Sequence, residues 1–242
     1  MPDLGQFWVY LSASPLLGLT MTLCAYLAAH RVTAFFKGAP LANPVAISIA
    51  LVVLLLWLTG MSYQRYFAGA QFVHFLLGPA TVALALPLVR QLPRLRRAFL
   101  PLAAALLLGS VTAIVSSVAI ALLLGAGPEL AATLSPKSAT SPIAMAVSER
   151  LGGIPALTAA MVITTGIFGA VCGPWLFDRL GIASPAARGF ALGLASHGIG
   201  TARAFQSGAT TGAFAGLAMG LNGALTALIA PWLVPLVLGW FA

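Results

Sequence analysis

The chain has 242 residues, of which 60% are hydrophobic and 7% charged, and its mean hydropathy is +1.02. Soluble domains carry about 25% charged residues, so a soluble fold of this length would lack the polar side chains to cover its surface, and composition places the chain in a membrane. The formal net charge of +8 does not signal nucleic-acid binding, because the basic residues sit mostly between apolar runs, as the positive-inside rule requires, and no stretch interleaves them with exposed aromatics.

The apolar runs have helical length, unlike the alternating strands of an outer-membrane barrel. The expected fold is therefore all-α, a polytopic transmembrane bundle of about seven or eight segments, some interrupted or re-entrant. Residues 1–6 carry no basic n-region and no cleavage site, so the first run, residues 7–29, is expected to be retained. His30, Arg31 and Lys37 follow in a loop that ends at Pro40 and Pro44. Residues 45–58 are almost wholly aliphatic, which suits a scaffold helix facing lipid. Residues 60–71, with Tyr63, Arg65 and Tyr66, have the composition of an interfacial loop.

Residues 72–89 differ. They hold His74, Gly78, Pro79, Thr81 and Pro87. Proline removes an intrahelical hydrogen bond and clashes with the carbonyl four residues back, so a kink or break is expected after Gly78-Pro79. Residues 1–71 thus read as scaffold-like helices and 72–242 as the core of one membrane domain. Arg90, Arg94, Arg96 and Arg97 form the densest basic cluster and mark a cytoplasmic loop.

Residues 99–125 form a fourth segment, in which Ser110, Thr112, Ser116 and Ser117 mark helix–helix contacts. Next comes Pro136-Lys137-Ser138-Ala139-Thr140-Ser141-Pro142. It is too polar to face lipid, so a re-entrant or broken helix is expected, buried in protein or lining water. Pro155 opens a sixth segment, residues 155–177, and proline suits a helix start. Asp178-Arg179 and Glu149-Arg150 read as charge pairs at helix ends. Residues 188–206 form the seventh segment, and the eighth runs from Gly212 to the C-terminus, where Asn222 and Pro231 suggest a bend. Ala80-Thr81 and Ala139-Thr140 open a short echo between two interrupted segments, which is either a transporter-like repeat or coincidence in Ala-rich sequence. Counting basic residues over the loops puts the N-terminus outside. Re-entry at Pro136–Pro142 would also bring the loop holding Arg179 and Arg188 to the cytoplasm.

A broken helix presents free N–H groups and the positive end of its dipole at membrane depth, which suits an anion. Three places qualify: after Pro79, after Pro142, and around Gly198-Ile199-Gly200-Thr201. There Thr81, Ser138, Thr140, Ser141 and Thr201 offer hydroxyls, and Lys137 and Arg203 offer charge. The alternative for both cations is an interfacial helix-end position. His197, between Ser196 and Gly198, is either a proton-relay group or a buried imidazole bonded to a backbone carbonyl in a helix break. No acidic residue sits inside a long apolar run, which disfavours a carboxylate relay. Ser196 and His197 are adjacent and point apart on a helix, and no hydrolase motif appears, which argues against an enzyme. Cys24 and Cys172 read as buried thiols, and no metal or cofactor is expected.

Ser196-His197-Gly198-Ile199-Gly200-Thr201-Ala202-Arg203 resembles the signature of the LrgB/CidB family. The blocks from Leu77 to Pro87, Pro136 to Met145, Gly153 to Thr158 and Gly212 to Met219 are similar to its other blocks, in the same order. The resemblance implies an antiholin-like membrane protein that modulates murein hydrolase activity and lysis beside an LrgA/CidA-type membrane partner. It also implies kinship with a plastidial glycolate/glycerate translocator, and links to pyruvate and related carboxylates. The residue reading, an anion held at broken helices, sides with transport; joined to what the resemblance implies, the expectation is a carrier for small monocarboxylates in the bacterial inner membrane, with a homodimer as the default assembly.

Overall fold

The computed structural model describes residues 15–36, 44–76 and 92–241, and all its regular elements are helices. The chain divides into two compact units, residues 1–83 and 84–242.

In the first unit, α1 (Pro15–Phe35) packs on α2 (Pro44–Thr59) and α3 (Tyr63–Phe75). The residues read as an interfacial loop, 60–71, lie mostly in α3. Gly18 lets the α1 backbone approach Ala70 N and Gly69 Cα, and the Thr22 and Tyr66 hydroxyls meet at 2.8 Å. A tyrosine-rich face docked on a helix explains the difference, since the same residues suit an interface or an amphipathic helix. Cys24, expected to be buried, is exposed, and Cys172 is half-buried.

The second unit holds α4 (Leu92–Arg97), α5 (Phe99–Leu123), α6 (Pro128–Leu134), α7 (Ser141–Arg150), α8 (Pro155–Arg179), α9 (Pro185–Ser207) and α10 (Ala209–Gly239). Among the described residues, α5, α8 and α10 are the helices long and apolar enough to cross a membrane. At about 1.5 Å per residue, 25 residues reach about 37 Å, more than the ~30 Å hydrocarbon core. Ile114, Val118 and Ala121 of α5 pack with Ala230, Val234 and Val237 of α10, and Ser110 meets Asn222, so α5 and α10 run parallel. Gly166, Gly169 and Gly173 of α8 face His197, Ser196 and Leu192 in that order, so α8 runs antiparallel to the first half of α9.

The elements between them are hairpins that do not cross. α6 and α7 leave and return to one end of the unit, joined by a break over residues 135–140. Ala131 and Val147 share one apolar cluster, and Ser148 Oγ and Thr133 N flank the same face of Gly153. Thr158 pins this hairpin to α8: its hydroxyl lies 2.7 Å from Ser148 Oγ and 3.0 Å from Thr133 O, while Ile154 N donates to Thr133 Oγ1 at 2.9 Å. Thr158→Val removes the partner of Ser148 Oγ and Thr133 O and is expected to destabilise the fold by about 1–3 kcal/mol. Thermal unfolding in detergent reads this, and an unchanged midpoint would mean the node does not hold the hairpin.

The residues read as a seventh crossing form the second hairpin. Ser196 (φ −128°, ψ 15°) and His197 (φ 41°, ψ −130°) leave helical geometry inside α9. Beyond them the chain returns: Gly200 lies against Leu192 O, and Ser207 and Thr211 share a pocket with Pro185 and Arg188. In a straight helix Arg188 and Ser207 would stand about 28 Å apart. Gly189 and Gly193 then seat the first leg on the α10 backbone at Thr211 and Ala215, the close approach that small residues allow between membrane helices. The two hairpins enter from opposite ends of the unit. Both tips lie level with the middle of the long helices, near Ser110, Val162 and Asn222.

Candidate functional site

The tips meet around Asn222. Its Nδ2 donates to Ser138 O in the first tip and to Leu194 O beside the second, both at 3.1 Å, while Ser110 Oγ donates to its Oδ1 at 2.7 Å. Ala139 and Ala144 pack on Val162, whose carbonyl lies 2.8 Å from His197 Nε2. A carbonyl only accepts, so the ring carries its proton on Nε2 there, and a neutral ring keeps Nδ1 as its acceptor. The imidazole is thus bonded to a backbone carbonyl through one nitrogen and keeps the other for a further partner.

His197 is the non-glycine residue with positive φ among the described residues. Side chains of L-residues rarely adopt that region, so the conformation is held by its surroundings. The Val162 bond fixes the ring, and Thr201 Oγ1 donates to His197 O at 2.8 Å. Gly166 supplies the space: a Cβ there would fall 2.6 Å from His197 Cε1. Gly166→Ala is therefore expected to displace the imidazole. The check is His197 side-chain NMR, and an unshifted resonance would contradict this packing.

Three hydroxyls at the crossing are buried with no hydrogen-bond partner among the described residues: Ser138 (2% exposed), Ser196 (1%) and Thr226 (0%). Each such group costs about 1–3 kcal/mol unless a water or ligand satisfies it. Ser196 Oγ points at Gly169, and Thr226 sits one helical turn from Asn222. The N-terminus of α7 also lies at the first tip. Thr140 stands at its N-cap position in extended conformation without a side-chain capping bond, followed by Ser141 and Pro142. An uncapped helix start keeps N–H donors free for an anion.

Of the residues singled out in the sequence, Pro136, Lys137, Ser138, Thr140, Ser141 and Pro142 form the first tip and the start of α7. Pro136 and Ser138 are buried, Lys137, Thr140 and Ser141 half-buried. Ser196, His197, Gly198, Gly200 and Thr201 form the second tip and the start of its returning leg, with Gly198 exposed. Arg203 lies further along that leg, where it donates to Gln206 Oε1 at 2.9 Å and its Nε is buried without a partner. Gly78, Pro79 and Thr81 lie outside the described residues. Asp178 pairs with Arg188, not with its neighbour Arg179 as expected: the return of the chain after Gly181 brings Arg188 onto Asp178 and Ile182 O, whereas Arg179 lies over the Trp175 ring. Asn222, Thr226 and Val162 were missed as site residues. An Asn inside an apolar helix was the signal available for the first.

No solved structure matches the chain. Among curated proteins, "Uncharacterized protein YwbG" of Bacillus subtilis is 36% identical, covering 90% of this chain and 97% of the relative. An uncharacterized protein of Haemophilus influenzae is 35% identical, over 81% of this chain and 84% of the relative. "Antiholin-like protein LrgB" of Bacillus mycoides is 29% identical, over 93% and 97%. The family model described as LrgB-like matches residues 22–236. With that match over most of its length, and with relatives that align nearly end to end, the chain belongs to the LrgB-like family.

Proposed function

We propose that this membrane protein acts as an antiholin-like regulator of murein hydrolase activity and cell lysis, assembling with an LrgA/CidA-type membrane partner. The support is the end-to-end alignment with relatives that carry the antiholin-like name. Expression in a strain deleted for its own copy is expected to restore normal lysis timing when the partner is present. Unaltered lysis with and without the partner would remove this reading.

A second reading is favoured by one observation, the buried unpartnered hydroxyls where the two broken hairpins cross. It is a carrier for small monocarboxylates of the pyruvate, glycolate, glycerate or hydroxypropionate type. The uncapped start of α7 and the Ser138, Thr140, Ser141 and Ser196 hydroxyls would bind the carboxylate, Lys137 would neutralise it, and Thr201, whose hydroxyl is engaged by His197 O, would hold the second tip in shape. Gly200 lets the returning leg pack on Leu192 O, the exposed Gly198 leaves the tip open to the solute, and His197 presents Nδ1 to orient the solute or pass a proton. Arg203, further along its leg, would act nearer the mouth.

Radiolabelled pyruvate and glycolate uptake into proteoliposomes, with and without a pH gradient, tests it. Saturable uptake is expected, with at least a tenfold loss in Lys137→Ala and in the Ser138→Ala/Ser196→Ala pair. Wild-type uptake in these variants would clear the crossing of that role. The regulator reading instead predicts that lysis control survives the paired alanines.

The charge pattern supports an orientation in the inner membrane. Arg96, Arg97, Arg179 and Arg188 lie at one end of the second unit, and Glu129, Glu149 and Arg150 at the other. The basic end is the cytoplasmic one, which puts the C-terminus outside. A C-terminal alkaline phosphatase fusion is expected to be active.

A further inference from the structure

We infer that Asn222 is an interlock between the two hairpins, a positioning residue that makes the movement of either tip depend on the other. The amide of Asn222 carries two hydrogens. One is held by Ser138 O in the tip that enters from one end, the other by Leu194 O beside the tip that enters from the opposite end. The amide is planar, so the two N–H directions are fixed relative to each other. Ser110 Oγ on α5 holds Oδ1 and keeps the plane from turning. The residue is fully buried, so no water competes for these positions.

A tip that withdraws strands one hydrogen of the amide. The side chain cannot follow that tip without breaking its bond to the other tip and to Ser110. The amide thus has a full set of partners only while both tips are seated. The fixed frame around it is the parallel pair α5 and α10, which meet along their length. Two further features place the joint where motion has leverage. The second tip turns on His197, whose left-handed backbone is held by two hydrogen bonds, and Gly198 beside it is exposed. The first tip offers no side-chain cap at the start of α7.

This inference deepens the carrier reading and rests on it for its consequence: with the interlock in place, the site does not open to both ends at once. Its structural content stands apart from transport. Amide hydrogen exchange of the full chain in lipid nanodiscs reads the two tips separately, as peptides covering residues 135–140 and 194–200. Asn222→Leu keeps the volume and removes both donors. It is expected to speed exchange at both tips by about the same factor, at least tenfold, while the centres of α5 and α8 stay unchanged. Asn222→Ser, too short to reach both carbonyls, is expected to do the same if the leucine variant folds poorly. Ser110→Ala, which leaves both tip bonds in place, is expected to move both tips together by a smaller factor.

Acceleration at one tip alone, at neither, or evenly over the whole unit would overturn the interlock. In proteoliposomes that show saturable wild-type uptake, Asn222→Leu is expected to turn it into a non-saturable leak, a change that mere loss of folded protein does not produce. Intact saturable uptake in that variant would overturn the transport consequence, that the site does not open to both ends at once. Absence of wild-type uptake would count against the carrier reading, while the exchange experiment still decides whether the tips are coupled.

Discussion

Gly193→Val is expected to prevent accumulation of folded protein. A Cβ at Gly193 would sit 2.6 Å from Ala215 C and 2.7 Å from Ala215 Cα, and one at Gly189 would sit 2.8 Å from Thr211 C. These are backbone atoms of α10, which cannot rotate aside as a side chain would. Overpacking a core commonly costs about 1–3 kcal/mol. Here relief requires moving the first leg of α9 off a 31-residue helix, so valine is expected to exceed that range and alanine to fall within it. Gly220→Ala is the contrast, because a Cβ there meets nothing within 4 Å. It is expected to be neutral or to stabilise by up to about 1 kcal/mol through helix propensity. Folded yield by size exclusion and the thermal midpoint in detergent distinguish the three. A wild-type midpoint in Gly193→Val would show that the seam between α9 and α10 is loose.

The second large effect is expected at His197. Alanine there loses the Val162 bond, leaves a hole beside Gly166, and must still adopt φ 41°. The strain is common to histidine and alanine, so the lost bond and the hole together predict about 2–4 kcal/mol of local destabilisation. Three substitutions separate the contributions. Glycine accepts the positive φ and is expected to recover about 1 kcal/mol relative to alanine. Asparagine accepts it and can still donate, so it is expected to be the mildest. Proteolysis and hydrogen exchange across residues 194–200 give the ranking Asn, Gly, Ala from most to least protected. Equal behaviour of alanine and glycine would show that the backbone of His197 stores no strain.

Part of this architecture is legible in the sequence because it rests on local chemistry. Pro136 and Pro142, with Ser138 and Thr140 between them, cannot continue a lipid-facing helix, and the structure breaks there. The helical segments 99–125 and 155–177 emerge close to α5 and α8, since length and apolarity decide them. The fold-back of α9 is not local. Ser196-His197-Gly198 announces an interruption but not its angle. The angle follows from Gly200 against Leu192, Gly166 and Gly169 receiving two side chains, and Gly189 and Gly193 on α10. All of these are contacts with residues distant in the chain. Asn222 was hidden for the same reason: its hydrogen bonds span 28, 84 and 112 positions. Tyr63 and Tyr66 misled in the opposite direction, since an aromatic-rich stretch suits a membrane interface as well as a packed helix.

The non-crossing hairpins also constrain the order in which this protein is made. The first leg of α9, from Pro185 to Ser196, is about 18 Å long, short of the ~30 Å hydrocarbon layer, and its tip carries polar groups that lipid cannot satisfy. It has no stable place in the bilayer as a segment by itself. Its seat is made of Gly166, Gly169 and Gly173 on α8, already synthesised, and of Thr211 and Ala215 on α10, which leaves the ribosome afterwards. The α6–α7 hairpin likewise waits for Thr158 on α8 and Asn222 on α10. Neither hairpin has its full set of partners until both α8 and α10 are in place beside it. Chains truncated before α10 lack Thr211, Ala215 and Asn222, which complete both seats, and are expected to leave both tips without their partners.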